Sequence, residues 1–270
     1  MAEPVRLTGA QETLLATLYA KALDNRSPRP VLGDASAEEL MRRIDYDFTK
    51  MKFIGRDRRT VTFRAKKLDE WTLRFVKRDP EATVLHLGCG LDGRAYRLDL
   101  PTSVQWVDVD QPDVIELRRK LFPERKNYRT IATSVTEEGW LEHIPADRPT
   151  LIVAEGLTPY LQEVDGLALL RRLRERFSRG EMMFDAVLPW TLHIAKYSRL
   201  IRTTGATFGW AVGDPRSLEH AVPGLRLIEE WSLLDSPYRA NVRAIDRYVA
   251  AMMRSVKALR YAHRLLRYRF

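Results

Sequence analysis

The residues most able to do chemistry begin with His86-Leu87-Gly88-Cys89-Gly90-Leu91-Asp92-Gly93, a G-x-G-x-x-G spacing behind a short apolar run. Glycine admits positive φ and lets a ligand meet the backbone with no Cβ in the way. Such a strand-to-helix turn suits a dinucleotide as well as S-adenosylmethionine, and it also occurs as a plain tight turn. Trp106-Val107-Asp108-Val109-Asp110-Gln111 follows. An acid about 20 positions past the glycines, at the end of the next strand, can accept hydrogen bonds from both ribose hydroxyls. Asp108 and Asp110 share one strand face, and both qualify. Ala154-Glu155-Gly156-Leu157-Thr158-Pro159-Tyr160-Leu161 comes third, behind another apolar run. Glu155 there is placed to meet an ammonium group or to lie on the surface.

These residues need a sheet edge to hold them, and the chain's periodicity supplies one. Leu14, Leu15, Leu18 and Leu23 predict a first helix, stopped by Pro28 and Pro30. Ser36 and Glu39 read as a capping box for a second. Val61, Leu68, Trp71 and Phe75 predict a third over 60–77, ended at Asp79-Pro80. Short apolar strands then alternate with helices. Strands are expected at 83–87, 104–109, 128–132, 151–154, 181–187 and 225–234, with helices from Pro112 and over 167–177. This grammar predicts an α/β fold with a mostly parallel, Rossmann-like sheet and helices on both faces. Ligands in such sheets sit at the carboxyl ends of the strands, where all three motifs fall.

The 270 residues, 45% hydrophobic, suffice for one large core. They read as a single unit over 1–270, with helices over 1–79 and an α/β core over 80–270. No apolar run reaches the roughly 18 residues that span a bilayer, and no secretion signal pattern opens the chain. One cysteine, Cys89, cannot pair within the chain, and a reducing, cytoplasmic setting is expected. The net charge of +9 gathers late, in Arg254, Lys257, Arg260, Arg264, Arg267 and Arg269. With Leu259, Leu265 and Leu266 interleaved, this segment reads as an amphipathic C-terminal helix with a solvated basic face. Zinc-finger spacing and stacked-aromatic RNA motifs do not accompany it, so neither a metal nor a nucleic acid partner is expected.

The residues from Leu87 to Leu98, Trp106 to Pro112 and Ala154 to Leu161 together resemble the leucine carboxyl methyltransferase family. Within it the chain is most similar to the bacterial branch related to the tetracenomycin polyketide carboxyl methyltransferase. The runs Thr204 to Thr207 and Gly213 to Arg216, and the ending Leu265 to Phe270, carry the same resemblance. It implies a class I S-adenosylmethionine-dependent methyltransferase, with a seven-stranded sheet and an N-terminal helical lid. It implies that Gly88, Cys89, Gly90 and Gly156 line the cofactor and that Asp110, beside Gln111, holds the ribose. Glu155 then lies near the cofactor's amino group. Arg64, in Phe63-Arg64-Ala65-Lys66-Lys67-Leu68-Asp69, matches the arginine that grips the methionine carboxylate, a task suited to a planar guanidinium. The same resemblance implies Lys21 as a second basic ligand from the lid. Many members carry an aspartate and a leucine at the adenine, where this chain has Ser134-Val135. Serine accepts a hydrogen bond without bringing charge; Glu137 or Glu138 is placed to compensate.

The family implies an O-methyltransferase acting on a carboxylate of a polyketide-like or other aromatic acid. A carboxylate, with an unperturbed pKa near 4, is ionised at neutral pH and needs no base; a phenol, near 10, profits from one. Of the five histidines, His86 falls inside a buried strand and His193 follows the fifth strand, where a base for a phenol would stand. Tyr160, Trp190 and Tyr197 are candidates to line the acceptor pocket or to pack in core or lid. A nicotinamide dehydrogenase shares the glycine turn and ribose acid but gives Arg64 and Glu155 no task. An RNA-modifying enzyme using the basic terminus is the remaining alternative, marked by steep salt dependence of binding.

Overall fold

A computed structural model describes residues 3–5, 7, 9–238 and 244–270. Seven strands form one sheet: β1 (Thr83–Leu87), β2 (Gln105–Asp110), β3 (Tyr128–Ala132), β4 (Thr150–Ala154), β5 (Gly180–Val187), β6 (Arg226–Ser232) and β7 (His263–Arg269). Their order is β3-β2-β1-β4-β5-β7-β6. The first five pair in parallel, and β7 enters antiparallel between β5 and β6. The strand order reverses between β1 and β4, which opens a crevice beyond their carboxyl ends.

The inner parallel strands β1, β2, β4 and β5 are buried on both faces because helices cover both, while β3 lies at the edge. Leu85, Val107, Ile152 and Phe184 pack on one side, and Val84, Trp106, Leu151 and Met183 on the other. Three helices precede the sheet: α1 (Thr13–Asn25), α2 (Ala35–Arg43) and α3 (Ile54–Arg78). Leu68, Trp71 and Phe75 of α3 are fully buried and fix that long helix against the sheet. Further helices are α4 (Pro112–Leu121), α5 (Glu163–Arg176), α6 (Pro189–Ala195), α7 (Arg199–Thr204) and α8 (Ala244–Ser255). No helix among the described residues is long and apolar enough to cross a membrane.

Sequence periodicity located the first six strands to within two residues at either end. Three expectations need correction. The capping box does not form: Asp34 is the residue that precedes α2, Ser36 donates its hydroxyl to Asp34 Oδ1, and Glu39 turns to Arg42. The helix expected over 60–77 begins earlier, at Ile54, because Ile54 and Met51 are drawn into a buried cluster with α1.

The third correction concerns the C-terminus. Arg254 lies on α8 and Lys257–Arg260 is a short helix, but His263–Arg269 form β7. Leu265 enters one core cluster and Leu266 the other. Arg264 and Arg267 are not solvated: Arg264 Nη1 is 2.6 Å from Glu230, and Arg267 Nη2 is 2.6 Å from Glu181. β7 has a strand neighbour on each side, so its removal would leave β5 and β6 with unpaired edges. Leu266→Ala should lower the unfolding free energy by about 2–5 kcal/mol, read from urea denaturation. Deletion of everything after Met253 should abolish cooperative unfolding altogether. A truncated chain that still unfolds cooperatively would show that the sheet closes without β7.

Candidate active site

The turn after β1 places Gly88 at φ +61° and Gly90 at φ +50°. A Cβ on Gly88 would meet Leu157 at 3.2 Å, and one on Gly90 would meet Leu14 of α1 at 3.3 Å. The left-handed conformation and the close neighbours both require glycine here. The turn forms the floor of a cavity of about 920 Å³, walled by the ends of β2, β4 and β5, by α1, and by the segment from Trp190 to Ile201.

Asp110 closes β2 at this floor. Its Oδ2 accepts from the Gly90 amide at 2.7 Å and its Oδ1 from the Gln111 amide at 2.8 Å. Burial pushes its carboxyl above the usual aspartate range. Asp108 shares the strand face but not the role. It is fully buried and held by Arg118 at 2.5 Å, Tyr128 at 2.6 Å, Trp106 at 2.7 Å and His86 at 3.2 Å. Four partners consume its acceptor capacity, which leaves Asp110 as the acid on that face with acceptor capacity to spare.

Charge is concentrated at the ends of β4 and β5. Glu155 Oε1 accepts from Arg64 Nε at 3.1 Å, and its Oε2 from Arg94 Nη2 at 2.5 Å. Arg64 Nη1 reaches Asp185 Oδ2 at 2.8 Å, and Asp185 Oδ1 accepts from the Gly156 amide at 2.6 Å. Lys21 of α1 meets Asp92 at 3.0 Å, with both side chains nearly buried. Arg94 and Arg97 tie Asp92 to Asp69 of α3, and Arg97 also reaches Asp34. Burial alone would raise the carboxyl of Glu155, but the charges of Lys21, Arg94 and Arg64 bring it down to about 2. Against the same burial, Arg64 and a bond to His263 bring Asp185 to about 2.

Lys21, Arg64, Gly88, Cys89, Gly90, Asp110, Gln111, Glu155 and Gly156 thus line one cavity, as do Tyr160, Trp190 and Tyr197. Tyr160 packs edge-on against Phe208, while Trp190 and Tyr197 stand exposed at the mouth. Of the expected adenine pair, Val135 lines the cavity and Ser134 does not. The Ser134 hydroxyl lies 2.7 Å from Thr136 Oγ1 and accepts from the Thr136 amide, closing a local turn. Glu137 and Glu138 are also outside the cavity, so neither replaces it. His193 is exposed on α6, with Nδ1 3.4 Å from the Pro189 carbonyl, and does not reach the cavity wall. The helix simply presents it outward, so it is not placed to take a proton from an acceptor.

Two cavity residues escaped sequence reasoning. Asp185 is a charged residue inside the apolar run Met182 to Val187, a signal of a paired buried acid. His263 opens β7 with Nε2 3.4 Å from Asp185 Oδ2, and the helical reading of that segment concealed it.

The donor set fits S-adenosylmethionine. The turn offers backbone free of Cβ atoms, Asp110 offers a carboxylate for two hydroxyls, and Glu155 and Asp185 suit a cationic ligand. Arg64 Nη2 has no protein acceptor among the described residues, which leaves one arm for a ligand carboxylate.

Low carboxyl values carry a stability consequence. The ordinary values are 4.5 for Glu155 and 3.8 for Asp185, so on acidification the unfolded chain binds protons first. Their stabilisation is complete above about pH 5 and is lost as pH falls through 4 towards 2, roughly 2–3 kcal/mol for each group. Asp110, raised by burial, acts in the opposite sense. Urea midpoints should therefore drop between pH 5 and pH 3, and less steeply in Glu155→Gln. Parallel slopes in the two proteins would remove Glu155 as the cause.

Comparison with known proteins agrees with this geometry. Residues 14–174 match the family model described as leucine carboxyl methyltransferase. The chain is 63% identical over 270 residues, all of both chains, to the tetracenomycin polyketide synthesis O-methyltransferase TcmP of Streptomyces glaucescens. It is 39% identical over 251 residues to the S-adenosyl-L-methionine-dependent methyltransferase dpfgK of Gibberella zeae, covering 85% of this chain and 84% of that one. Among solved structures, a DUF574 family protein from Streptomyces avermitilis aligns with TM-score 0.58 at 14% identity, over 95% of this chain and 96% of that one. The mycolic acid cyclopropane synthase CmaA1 aligns with TM-score 0.50 at 12% identity, over 97% and 98%. At such identities these structures speak to the fold alone. The chain belongs to the leucine carboxyl methyltransferase family, with the fold of a class I S-adenosylmethionine-dependent methyltransferase.

Proposed function

We propose that the protein methylates the carboxylate of a small polyketide-like or other aromatic acid, in the cytoplasm. The carrying observation is the state of the acids beside the glycine turn. Glu155 and Asp185 are paired with cations and held near 2, so neither can take a proton from a phenol near pKa 10. An acceptor that arrives ionised needs no such step. The full-length likeness to an O-methyltransferase of tetracenomycin polyketide synthesis supports the acceptor class.

When bound, S-adenosylmethionine supplies an activated methyl group on a cationic sulfur. The chain's part is binding, alignment and exclusion of water, and orientation alone can lower a barrier by roughly 7–11 kcal/mol. Gly88 and Gly90 would seat the methionine end, and Asp110 the ribose. Arg64 would take the methionine carboxylate through Nη2, and Glu155 would face the amino group. Val135, apolar and buried, would lie against adenine. Helices α1 and α2, in the 1–79 segment, would act as the lid, with Lys21 linking α1 to Asp92 of the turn. Tyr160, Trp190 and Tyr197 would contact the acceptor's rings.

A phenol acceptor is the second reading, and the pairing of His263 with Asp185 is the observation that favours it. The two separate in a screen of fused-ring aromatic acids against the matching phenols, with labelled S-adenosylmethionine. Methylation of acids, with a rate flat between about pH 6 and 8, is expected. Methylation of phenols only, with a rate climbing through pH 7, would overturn the carboxylate reading.

Cofactor placement has its own test. Asp110→Ala should weaken S-adenosylhomocysteine binding by about 10–100-fold, the loss of a charged hydrogen-bond partner of roughly 1.5–3 kcal/mol. Asp108→Ala should instead destabilise the fold by roughly 3–5 kcal/mol, since it strands the buried Arg118. Calorimetric titration and thermal denaturation of both variants read the two effects. Equal, near-wild-type affinities would remove Asp110 from the ribose.

A further inference from the structure

We propose that His263 is the carboxylate-binding residue for the acceptor: its ring, anchored by Asp185, donates a hydrogen bond to the carboxylate that becomes methylated. The inference rests on the carboxylate reading above and assigns the group that recognises it.

Position is the first argument. β7 runs antiparallel to β5 and pairs His263 with Val187, at the carboxyl end of β5. His263 therefore stands on the same sheet edge as Glu155 and Asp185, and it lines the same cavity. Its side chain is 31% exposed, so a ligand in the cavity can reach it.

Orientation is the second. Nε2 faces Asp185 Oδ2 at 3.4 Å, while Nδ1 has no partner among the described residues. Asp185 is itself fixed by Arg64 and by the Gly156 amide. A histidine whose one nitrogen is held by a carboxylate presents the other in a defined direction. Set between Asp185 and an arriving carboxylate, an imidazole can give a hydrogen bond from each nitrogen, one to either side.

Elimination is the third. Lys21 is taken by Asp92, and Arg64 by Glu155 and Asp185, with its third nitrogen assigned to the cofactor. His86 is almost fully buried beside Asp108. Arg199 lies over the Phe53 ring, exposed at the mouth and away from the turn. Among the described basic residues of the cavity, His263 has a nitrogen left to give beside the reacting edge.

The chemistry balances without a proton acceptor. A carboxylate oxygen lone pair forms the new C–O bond as the S–C bond breaks, and the bonding pair stays on sulfur. The two products are a neutral ester and a neutral thioether, and no proton leaves. His263 holds the second carboxylate oxygen and so turns the first toward the methyl group.

The test uses the intact protein, a panel of aromatic carboxylic acids of two to four fused rings, their methyl esters and the matching phenols. His263→Ala and His263→Phe should each lower kcat/KM for the acids at least 30-fold. S-adenosylhomocysteine affinity should stay within threefold of wild type, which also reports that both variants fold. With S-adenosylhomocysteine present, both variants should bind the free acid at least tenfold more weakly and the methyl ester within threefold, because the ester has no anion to pair. Unchanged kcat/KM for the acids would overturn the inference while leaving the carboxylate reading standing. Equal losses of acid and ester binding would overturn it in favour of a packing role. Wild-type enzyme that methylates phenols alone would refute the carboxylate reading; a thousandfold loss of that activity in His263→Ala would mark the residue as a base.

Discussion

The buried ion cluster around Glu155 is the constraint on which the site depends. Asp34, Asp69, Asp92, Glu155 and Asp185 meet Lys21, Arg64, Arg94 and Arg97 in one buried network. Removing such charges from water costs several kcal/mol each unless every one finds a partner. The partners come from α1, α3, the glycine turn, β4 and β5. None of those elements can shift alone without stranding a buried charge. The cluster therefore fixes where α3 crosses the sheet and where α1 lies over the turn.

Apolar packing sets the cluster's geometry. Leu68, Trp71 and Phe75 lock α3 into the core next to Leu151 and Val153 of β4. Arg64 lies one turn before Leu68 on the same helix, so that packing aims its guanidinium at the ends of β4 and β5. On the other side, Leu265 and Leu266 anchor β7 in both core layers, which sets the register that brings His263 to Val187. Positions that carry chemistry thus sit within one turn or three residues of positions that carry burial. The reacting groups inherit their precision from the core.

How much of this the sequence shows follows from the range of each interaction. The glycine turn, Asp110 and Glu155 each follow an apolar strand directly, so local pattern locates them. Arg64 is visible only through family resemblance, because its partners lie 91 and 121 positions away. The C-terminal strand is hidden for a different reason. Leu259, Leu265 and Leu266 fit helical spacing, and arginines between them mimic a solvated face. What decides against the helix is Glu181, Glu229 and Glu230 on β5 and β6, which pair with Arg264 and Arg267 and make their burial tolerable. No local window contains both partners. The same misreading hid His263 and left His193 as the histidine nearest the expected site.

Charge also explains why a cavity with apolar walls suits a carboxylate acceptor. Leu14, Val61, Leu157, Val187 and Ile201 line it alongside the polar groups. In a transfer from a sulfonium to a carboxylate, two opposite charges cancel as the new bond forms. Charge separation shrinks along the path, and surroundings of low dielectric do not oppose that loss as water would, because water solvates the separated ions best. A neutral phenol would instead take the positive charge of the sulfur onto its own oxygen as an oxonium, unless a base removed the proton in step. The walls and the cation-paired Glu155 and Asp185 therefore point the same way. If the acceptor is a carboxylate, as proposed, charge neutralisation takes the place that proton transfer holds in a phenol methyltransferase, and the chain's main task is then to keep water out while two ions meet in line.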